Sequence, residues 1–278
     1  MQPQHPSARP SQVADFEIVR PLGRGGSFLI ATPPHRLRDA GSHVVLKVYR
    51  ADAANDQPAA MQRVSSALRE FASVRSPYLV RLLEVGRNDG LIYCAMEHLP
   101  GGSLAAPANQ LTFAHVLRAV AHAARGAHDL HEHGIAHRNI HPGAVILHPQ
   151  GALLSDPALA TYLNPGMTLT GRLGQPHLTY MSPDVLRGQE PTRASDLFAL
   201  AATLHYAASG QTLYPTIDDS NPSAALAEIM SSTPTIAPRA SRADRADRSA
   251  EHRARQPRPS EDRRRSGRSP RRTLEAVT

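Results

Sequence analysis

One lysine stands out among the residues that could do chemistry. Lys47 is the only lysine in the chain, and arginine supplies all the rest of the 31 Lys and Arg residues. It lies in the β-branched run 44–49, which predicts a strand, and a Gly-rich turn at 22–26 precedes it. A lysine on a strand after such a turn can bind the α- and β-phosphates of ATP. Because lysine and arginine are not interchangeable at such a site, we predict that Lys47 binds phosphate.

The elements around this lysine predict a β-rich lobe over residues 15–96. Apolar residues recur at helical spacing over 61–74, whereas 79–85 and 91–96 have the pattern of strands. An Asn-Asp-Gly turn at 88–90 joins those two strands. This half of the chain is therefore expected to combine a sheet with one helix.

The second half of the chain is helical and follows a short break. Gly and Pro interrupt the pattern around 97–102, which predicts a hinge. Thr112 can cap an amphipathic helix that ends at Gly134. This helix lies near the start of a predicted helical lobe over 103–238. A β-rich half joined by a hinge to a helical half predicts an α+β fold with two lobes and a cleft between them.

Charge separates the folded part from the ends of the chain. The net charge of +7 lies wholly in residues 239–278, which hold 13 Arg and 6 acidic residues. A segment so rich in Arg, Ser and Pro cannot bury enough apolar surface to offset its ordering entropy. We therefore predict a disordered Arg-rich tail at 239–278, and a disordered leader at 1–14, which is polar and Pro-rich.

Composition also bears on the compartment. A single cysteine, Cys94, excludes an internal disulfide. The leader lacks the apolar centre of a signal peptide, and no apolar run approaches the roughly 18–20 residues of a membrane helix. These features predict a cytoplasmic protein with no membrane span.

The order of motifs along the chain resembles a eukaryotic-like serine/threonine protein kinase domain of the bacterial type. The resemblance covers about residues 16–210. It rests on a Gly-rich loop at 22–28, the strand lysine, a segment at 76–80, a gatekeeper and hinge at 96–97, a segment at 100–104, a catalytic loop at 137–146, a metal-binding triplet at 156–158, the end of an activation segment at 180–184 and an anchoring helix at 195–200. Several motifs in the family's order are far more specific than any one of them.

The resemblance implies ATP and Mg²⁺ as ligands of the cleft. It places Gly23, Gly25, Lys47 and Glu97 at the nucleotide, and Asp156 at the metal ion. It also implies a two-lobed kinase-like fold. Protein substrates or protein partners follow from the same resemblance.

The sequence departs from the family on the side of phosphoryl transfer. Asn139 occupies the position of the catalytic Asp, and an amide can orient a hydroxyl but cannot accept its proton. His141 replaces the lysine of the family's catalytic loop, which is not the strand lysine. Ala144 replaces the Asn that holds a second Mg²⁺. Pro157 and Ala158 replace the Phe and Gly after the metal-binding Asp. These departures predict impaired phosphoryl transfer more than lost binding. ATP and Mg²⁺ are possible ligands whose binding is expected to be weak or absent, because Ala144 supplies no second metal ligand.

The acidic partner of the strand lysine is ambiguous in the sequence. The family pairs that lysine with a Glu of the first-lobe helix. Ala67 stands at the family's spacing from Pro77, whereas Glu70 would require a helix one turn shorter. Phe28 takes the position of the third glycine in the Gly-rich loop, which is expected to stiffen that loop.

The resemblance also implies further helices after Gly210 that the sequence does not show. Only 226–230 has helical spacing before the tail begins, and Asp184 replaces the Glu that the family pairs with an Arg from those helices. We therefore expect a second lobe that lacks the last helices. A GC-rich gene read out of frame would encode such Arg- and Pro-rich text, which is one hypothesis for 239–278.

Three functions are compatible with these residues. The first is a pseudokinase that acts in signalling by protein interaction, with or without ATP, its partner being an active kinase or a kinase substrate. The second is a weakly active, atypical serine/threonine kinase, because kinase catalysis depends largely on positioning and electrostatics. The third is an electrostatic module that binds nucleic acid or an anionic surface through residues 239–278.

Overall fold

A six-stranded antiparallel sheet forms the first lobe. The computed structural model describes residues 11–23, 27–50, 57–89, 91–157, 177–217 and 222–238. The strands are β1 (Gln12–Val13), β2 (Phe16–Leu22), β3 (Phe28–Thr32), β4 (Val44–Arg50), β5 (Leu82–Asn88) and β6 (Leu91–Glu97), in the spatial order β1-β2-β3-β4-β6-β5. Helix α1 (Gln57–Ser73) lies between β4 and β5 in the chain, and a 3₁₀ helix (His35–Ala40) lies between β3 and β4.

The two faces of this sheet carry separate apolar clusters because side chains alternate along a strand. Val44 and Leu46 of β4 point to one face, whereas Val45 points to the other. The face of Val45 packs against Val64 and Leu68 of α1. The helix that the sequence predicts at 61–74 is therefore confirmed, and it begins a turn earlier, at Gln57.

The leader contributes a strand to this lobe. Gln12 and Val13 pair with β2, and Val13 is completely buried in the cluster around Phe16. The expectation of a disordered leader over 1–14 is therefore wrong for this pair, because a single apolar side chain next to Phe16 is enough to recruit the segment to the sheet edge. Residues 1–10 lie outside the described part of the chain.

The run 79–85 divides between two sheets. Its first residues bond to the second lobe, with the amide of Val80 donating to the carbonyl of Leu154 at 2.9 Å. The amide of Leu154 donates in turn to the carbonyl of Tyr78 at 2.7 Å. Strand β5 therefore starts at Leu82, later than the sequence predicts, because these backbone groups join the lobes.

Helix α2 (Phe113–Glu132) organises the second lobe. Thr112 Oγ1 accepts from the amide of His115, and His115 Nδ1 accepts from the amide of Thr112, which makes a reciprocal cap with His in place of the usual Glu. Gly134 follows the helix with φ of 74°, as predicted for its end. The cap and the terminating glycine thus fix both ends of α2.

A hairpin and three α-helices follow in the described second lobe, with short 3₁₀ helices at Pro142–Ala144 and Leu178–Tyr180. The hairpin strands and the α-helices are β7 (Val145–His148), β8 (Gly151–Leu154), α3 (Pro183–Leu186), α4 (Arg193–Ser209) and α5 (Pro222–Ser231). The hairpin and α4 pack on α2 around Leu130, which is completely buried. Among the helices of the described ranges, none is long and apolar enough to cross a membrane.

Candidate active site

The segment that carries the candidate catalytic residues is fixed by one buried carboxylate. Asp196 of α4 accepts from the amide of His137 at 2.7 Å and from the amide of Arg138 at 2.9 Å. His131 Nε2 lies 2.8 Å from the same carboxylate, which is only 1% exposed. Arg138 has φ of 67°, a backbone conformation that non-glycine residues rarely adopt. Asp196 therefore holds a strained turn at the start of the loop, as the sequence predicts for this helix.

His137 links the loop to the segment that carries Asp156. Its ring is completely buried, Nε2 lies 3.0 Å from the carbonyl of Ser155, and Nδ1 accepts from the amide of Asn139 at 3.3 Å. An amide donor at Nδ1 requires the proton on Nε2, so the ring is neutral and donates to Ser155. Burial lowers the pKa of His137, which favours the same neutral form. The ring thus positions Asn139 relative to Asp156.

Lys47 pairs with the carboxylate expected to bind metal. Its ammonium contacts Asp156 Oδ1, and both side chains are largely buried. The rings of Phe28 and Tyr49 flank the ammonium, each with its centroid 5.1 Å from Nζ. Strand register explains Phe28, which is the residue opposite Lys47 in β3.

The helix α1 does not supply an acidic partner to this lysine. Glu70 is exposed on α1, and Ala67, at the family's spacing, is buried in the apolar cluster beneath it. Phe28 packs against that same cluster. An aromatic side chain therefore fills the space on this side of Lys47, and Asp156 provides the counter-charge.

Asn139 makes the second contact to Asp156. Its Nδ2 donates to Asp156 Oδ2 at 3.1 Å and to the Asp156 carbonyl at 3.0 Å. Asp156 has φ of 64°, so its backbone is held in an unusual conformation for a residue with a side chain. Lys47 and Asn139 together supply a donor to each oxygen of the carboxylate.

This donor set does not fit a divalent cation. Both oxygens of Asp156 face protein donors, and Ala144 is completely buried with no side-chain ligand atom. Near this carboxylate, Tyr49 Oη and His141 Nε2 are buried and have no hydrogen-bond partner among the described residues. Tyr49 presents a hydroxyl whose pKa is raised well above its usual value by burial and then by Asp156, so it stays protonated. Within the described ranges, moreover, no group of three His, Cys, Asp or Glu side chains could hold a metal ion.

His141 does not replace the charge of the family's lysine. Its Nδ1 accepts from the amide of Gly143 at 3.1 Å, and its ring stacks on His177 with 3.5 Å between centroids. Burial, and then the neighbouring His177, lower the pKa of His141 well below its ordinary value. The ring is therefore neutral at neutral pH, with its proton on the unpartnered Nε2.

The other predicted nucleotide residues have separate environments. Gly23 has φ of 74°, and a Cβ built on it would meet open space, as suits an exposed loop. Gly25 lies outside the described residues. Glu97 ends β6, where its Oε1 accepts from the amide of Arg81 at 2.8 Å, so this side chain contacts the residue that precedes β5.

Three residues of the site were not predicted from the sequence to touch it. Tyr49 lies two positions from Lys47 on the same strand, and period-two alternation puts both side chains on one face. The sequence shows Phe28 only as the replacement of a glycine and does not indicate its contact to the ammonium. His177 follows the undescribed range 158–176, and no sequence pattern links it to His141.

Comparison with known proteins identifies the family. A sequence model described as "Protein kinase domain" matches residues 16–258, so the chain belongs to the protein kinase family. The fold agrees, with an antiparallel sheet lobe followed by a helical lobe. The family resemblance predicted from the order of motifs is confirmed, and so is the two-lobed α+β fold.

The similar proteins are bacterial serine/threonine kinases for the most part. Serine/threonine-protein kinase PrkC of Bacillus subtilis is 28% identical over 234 residues, covering 79% of this chain and 34% of its own length. DNA damage-responsive serine/threonine-protein kinase RqkA of Deinococcus radiodurans is 31% identical over 223 residues, covering 75% of this chain and 31% of its own. The chain therefore spans about a third of the length of these two relatives.

Proposed function

We propose that this chain is a pseudokinase, a protein-kinase fold that acts in cytoplasmic signalling by binding proteins and not by transferring phosphoryl groups. One observation carries the proposal. Asn139 lies at the position of the family's catalytic base, and its side-chain amide donates hydrogen bonds to the carbonyl and the carboxylate of Asp156. A neutral amide cannot accept the proton of a substrate hydroxyl, and this one is also turned toward the metal position.

The neighbouring positions support the same conclusion. His141 is neutral where the family has a cation, so it does not stabilise charge on a transferring phosphoryl group. Ala144 offers no oxygen to a second metal ion. Each change removes a different part of the phosphoryl-transfer machinery, whereas the anchor at Asp196 is intact. We infer that ATP and Mg²⁺ bind weakly or not at all.

Membership of the protein kinase family supports a protein partner. The cavity beside the catalytic loop adds no support, because its free volume of about 30 Å³ is too small for a peptide segment and its lining includes the buried carboxylate of Asp196. The partner in this proposal is an active kinase or a kinase substrate. Binding of nucleic acid through 239–278 stays a prediction, since these residues lie outside the described ranges.

A weakly active kinase is the second candidate. The relatives are themselves described as serine/threonine-protein kinases, and Lys47 and Asp156 are both present in the cleft. Phosphoryl transfer depends mostly on positioning and electrostatics, so loss of the base alone need not abolish it. Measurement of the rate separates the two candidates.

The full chain is expected to transfer phosphate from ATP at a rate at least about 10³-fold below the roughly 1–100 s⁻¹ of active kinases. The physical reason is that the catalytic base is missing at position 139 and the positive charge is missing at position 141. The measurement is transfer of radiolabelled γ-phosphate to the chain itself and to a generic protein substrate, with Mg²⁺ and then Mn²⁺. PrkC serves as the positive control. A rate within the ordinary kinase range would overturn the proposal in favour of an active enzyme.

A further inference from the structure

We propose that Asn139 locks Asp156 in a metal-free state in which protein donors, and not a metal ion, satisfy its carboxylate. Asn139 is in this sense a positioning residue that acts through Asp156. The inference deepens the proposed function and rests on it, because it explains how a kinase fold can be stable without its usual ligands. It follows from the contacts of Lys47, Asn139 and Asp156.

The first step concerns whether the contact between the side chains of residues 139 and 156 is attractive or repulsive. The side chains of Asn139 and Asp156 approach to 3.1 Å through an amide donor and a carboxylate acceptor. An aspartate in place of Asn139 would bring two carboxylates to that separation, where like charges repel strongly unless a cation lies between them. The amide has nearly the shape of the acid but turns this repulsion into a hydrogen bond.

The second step concerns the charge balance. The ammonium of Lys47 neutralises Asp156, and its remaining sides face the rings of Phe28 and Tyr49. Glu70 is exposed on α1 and does not compete for the lysine. The buried pair is therefore electrically neutral and fully partnered at its carboxylate, so it needs no additional cation.

The third step concerns the contacts that would be lost if a metal ion bound Asp156. A divalent cation that bound Asp156 would have to displace Lys47 from Oδ1 and Asn139 from Oδ2. Ala144 offers no ligand atom in return. A metal-bound state would thus lose two protein contacts and gain one protein ligand, which favours the metal-free state.

The test is the melting temperature of the full chain in Mg²⁺ or Mn²⁺ at millimolar concentration. The wild-type melting temperature is expected not to change with either ion. Asn139→Asp is expected to lower it by about 5–10 °C in the absence of divalent ions, and Mn²⁺ is expected to recover a large part of that loss. The substitution thus creates an ion dependence that a merely structural role would not produce.

Asn88→Asp is the matched control. Asn88 is the last residue of β5, where its Nδ2 makes a solvent-exposed hydrogen bond to Asp89 Oδ2 at 3.2 Å, so the substitution again sets two carboxylates side by side. Because water screens that pair, its melting temperature is expected to change by less than about 2 °C and to respond to the ions no more than the wild type does. If Asn139→Asp fails to fold, Asn139→Ala takes its place, with a lower melting temperature that the ions do not restore.

Two results would overturn the lock. One is a wild-type chain that Mg²⁺ or Mn²⁺ stabilises by several degrees, and the other is an Asn139→Asp variant that behaves like Asn88→Asp. These results are separable from failure of the proposed function. A chain stabilised by the ions but without phosphotransfer loses only the lock, whereas an active chain whose melting temperature ignores the ions loses only the pseudokinase assignment.

Discussion

Replacing Asp196 with alanine is expected to lower the free energy of unfolding by about 3–5 kcal/mol. This carboxylate is 1% exposed and receives the amides of His137 and Arg138 as well as His131 Nε2. Its removal leaves buried donors without an acceptor and releases the unusual backbone at Arg138. Urea denaturation followed by circular dichroism measures the change.

Asp184→Ala provides the matched control for that prediction. Asp184 is largely exposed and pairs with Arg187 three residues on, so its loss is expected to cost less than about 1 kcal/mol. Comparing the two variants separates the effect of losing a buried, backbone-anchoring carboxylate from the effect of losing any carboxylate. Equal effects for the two substitutions would contradict the anchoring role of Asp196.

Restoring three family residues together is expected to raise the rate of phosphotransfer by at least about 10²-fold over that of the wild-type chain. The variant combines Asn139→Asp, His141→Lys and Ala144→Asn. The first supplies a base, the second a cation and the third a metal ligand, so the missing parts return as a set. Asn139→Asp alone is expected to give little activity, because groups that act as a unit are not additive. The assay is radiolabelled γ-phosphate transfer in Mg²⁺ and in Mn²⁺.

Adding Lys47→Met to the restored variant gives its control. Methionine retains the apolar stem between Phe28 and Tyr49 but removes the ammonium, so activity is expected to fall back to the level of the wild-type chain. Activity that survives this change would come from a contaminating kinase. If the restored variant folds but is no faster than the wild-type chain, then Asn139, His141 and Ala144 are not the reason for the low activity of the wild type.

The sequence predicts those parts of the fold that depend on local chemistry. Thr112 and Gly134 bound α2 as their types require, and β5 and β6 pair up to Asn88 and Leu91, on either side of the predicted turn. The anchoring of the catalytic loop by Asp196 also follows from the order of motifs. Element boundaries were less predictable, because backbone groups near Val80 bond to the other lobe.

The contacts of the candidate site could be predicted only in part. Sequence comparison with the family shows that Asn139 lacks a basic oxygen, but it does not show where the amide points. The partner of Lys47 depends on side chains from β3, β4 and the segment after β8, which come together only in the folded chain. Glu70 illustrates the limit, since its spacing left pairing open and its exposure in the fold excludes it.

Electron paramagnetic resonance of Mn²⁺ titrated into the full chain, in the absence of ATP, tests the central claim most directly. That claim is that Lys47 and Asn139, and not a cation, satisfy Asp156. The account predicts that the signal of free Mn²⁺ is undiminished at micromolar protein. Loss of the signal at one equivalent of Mn²⁺, with recovery in Asp156→Asn, would show that the site binds metal and would contradict the account.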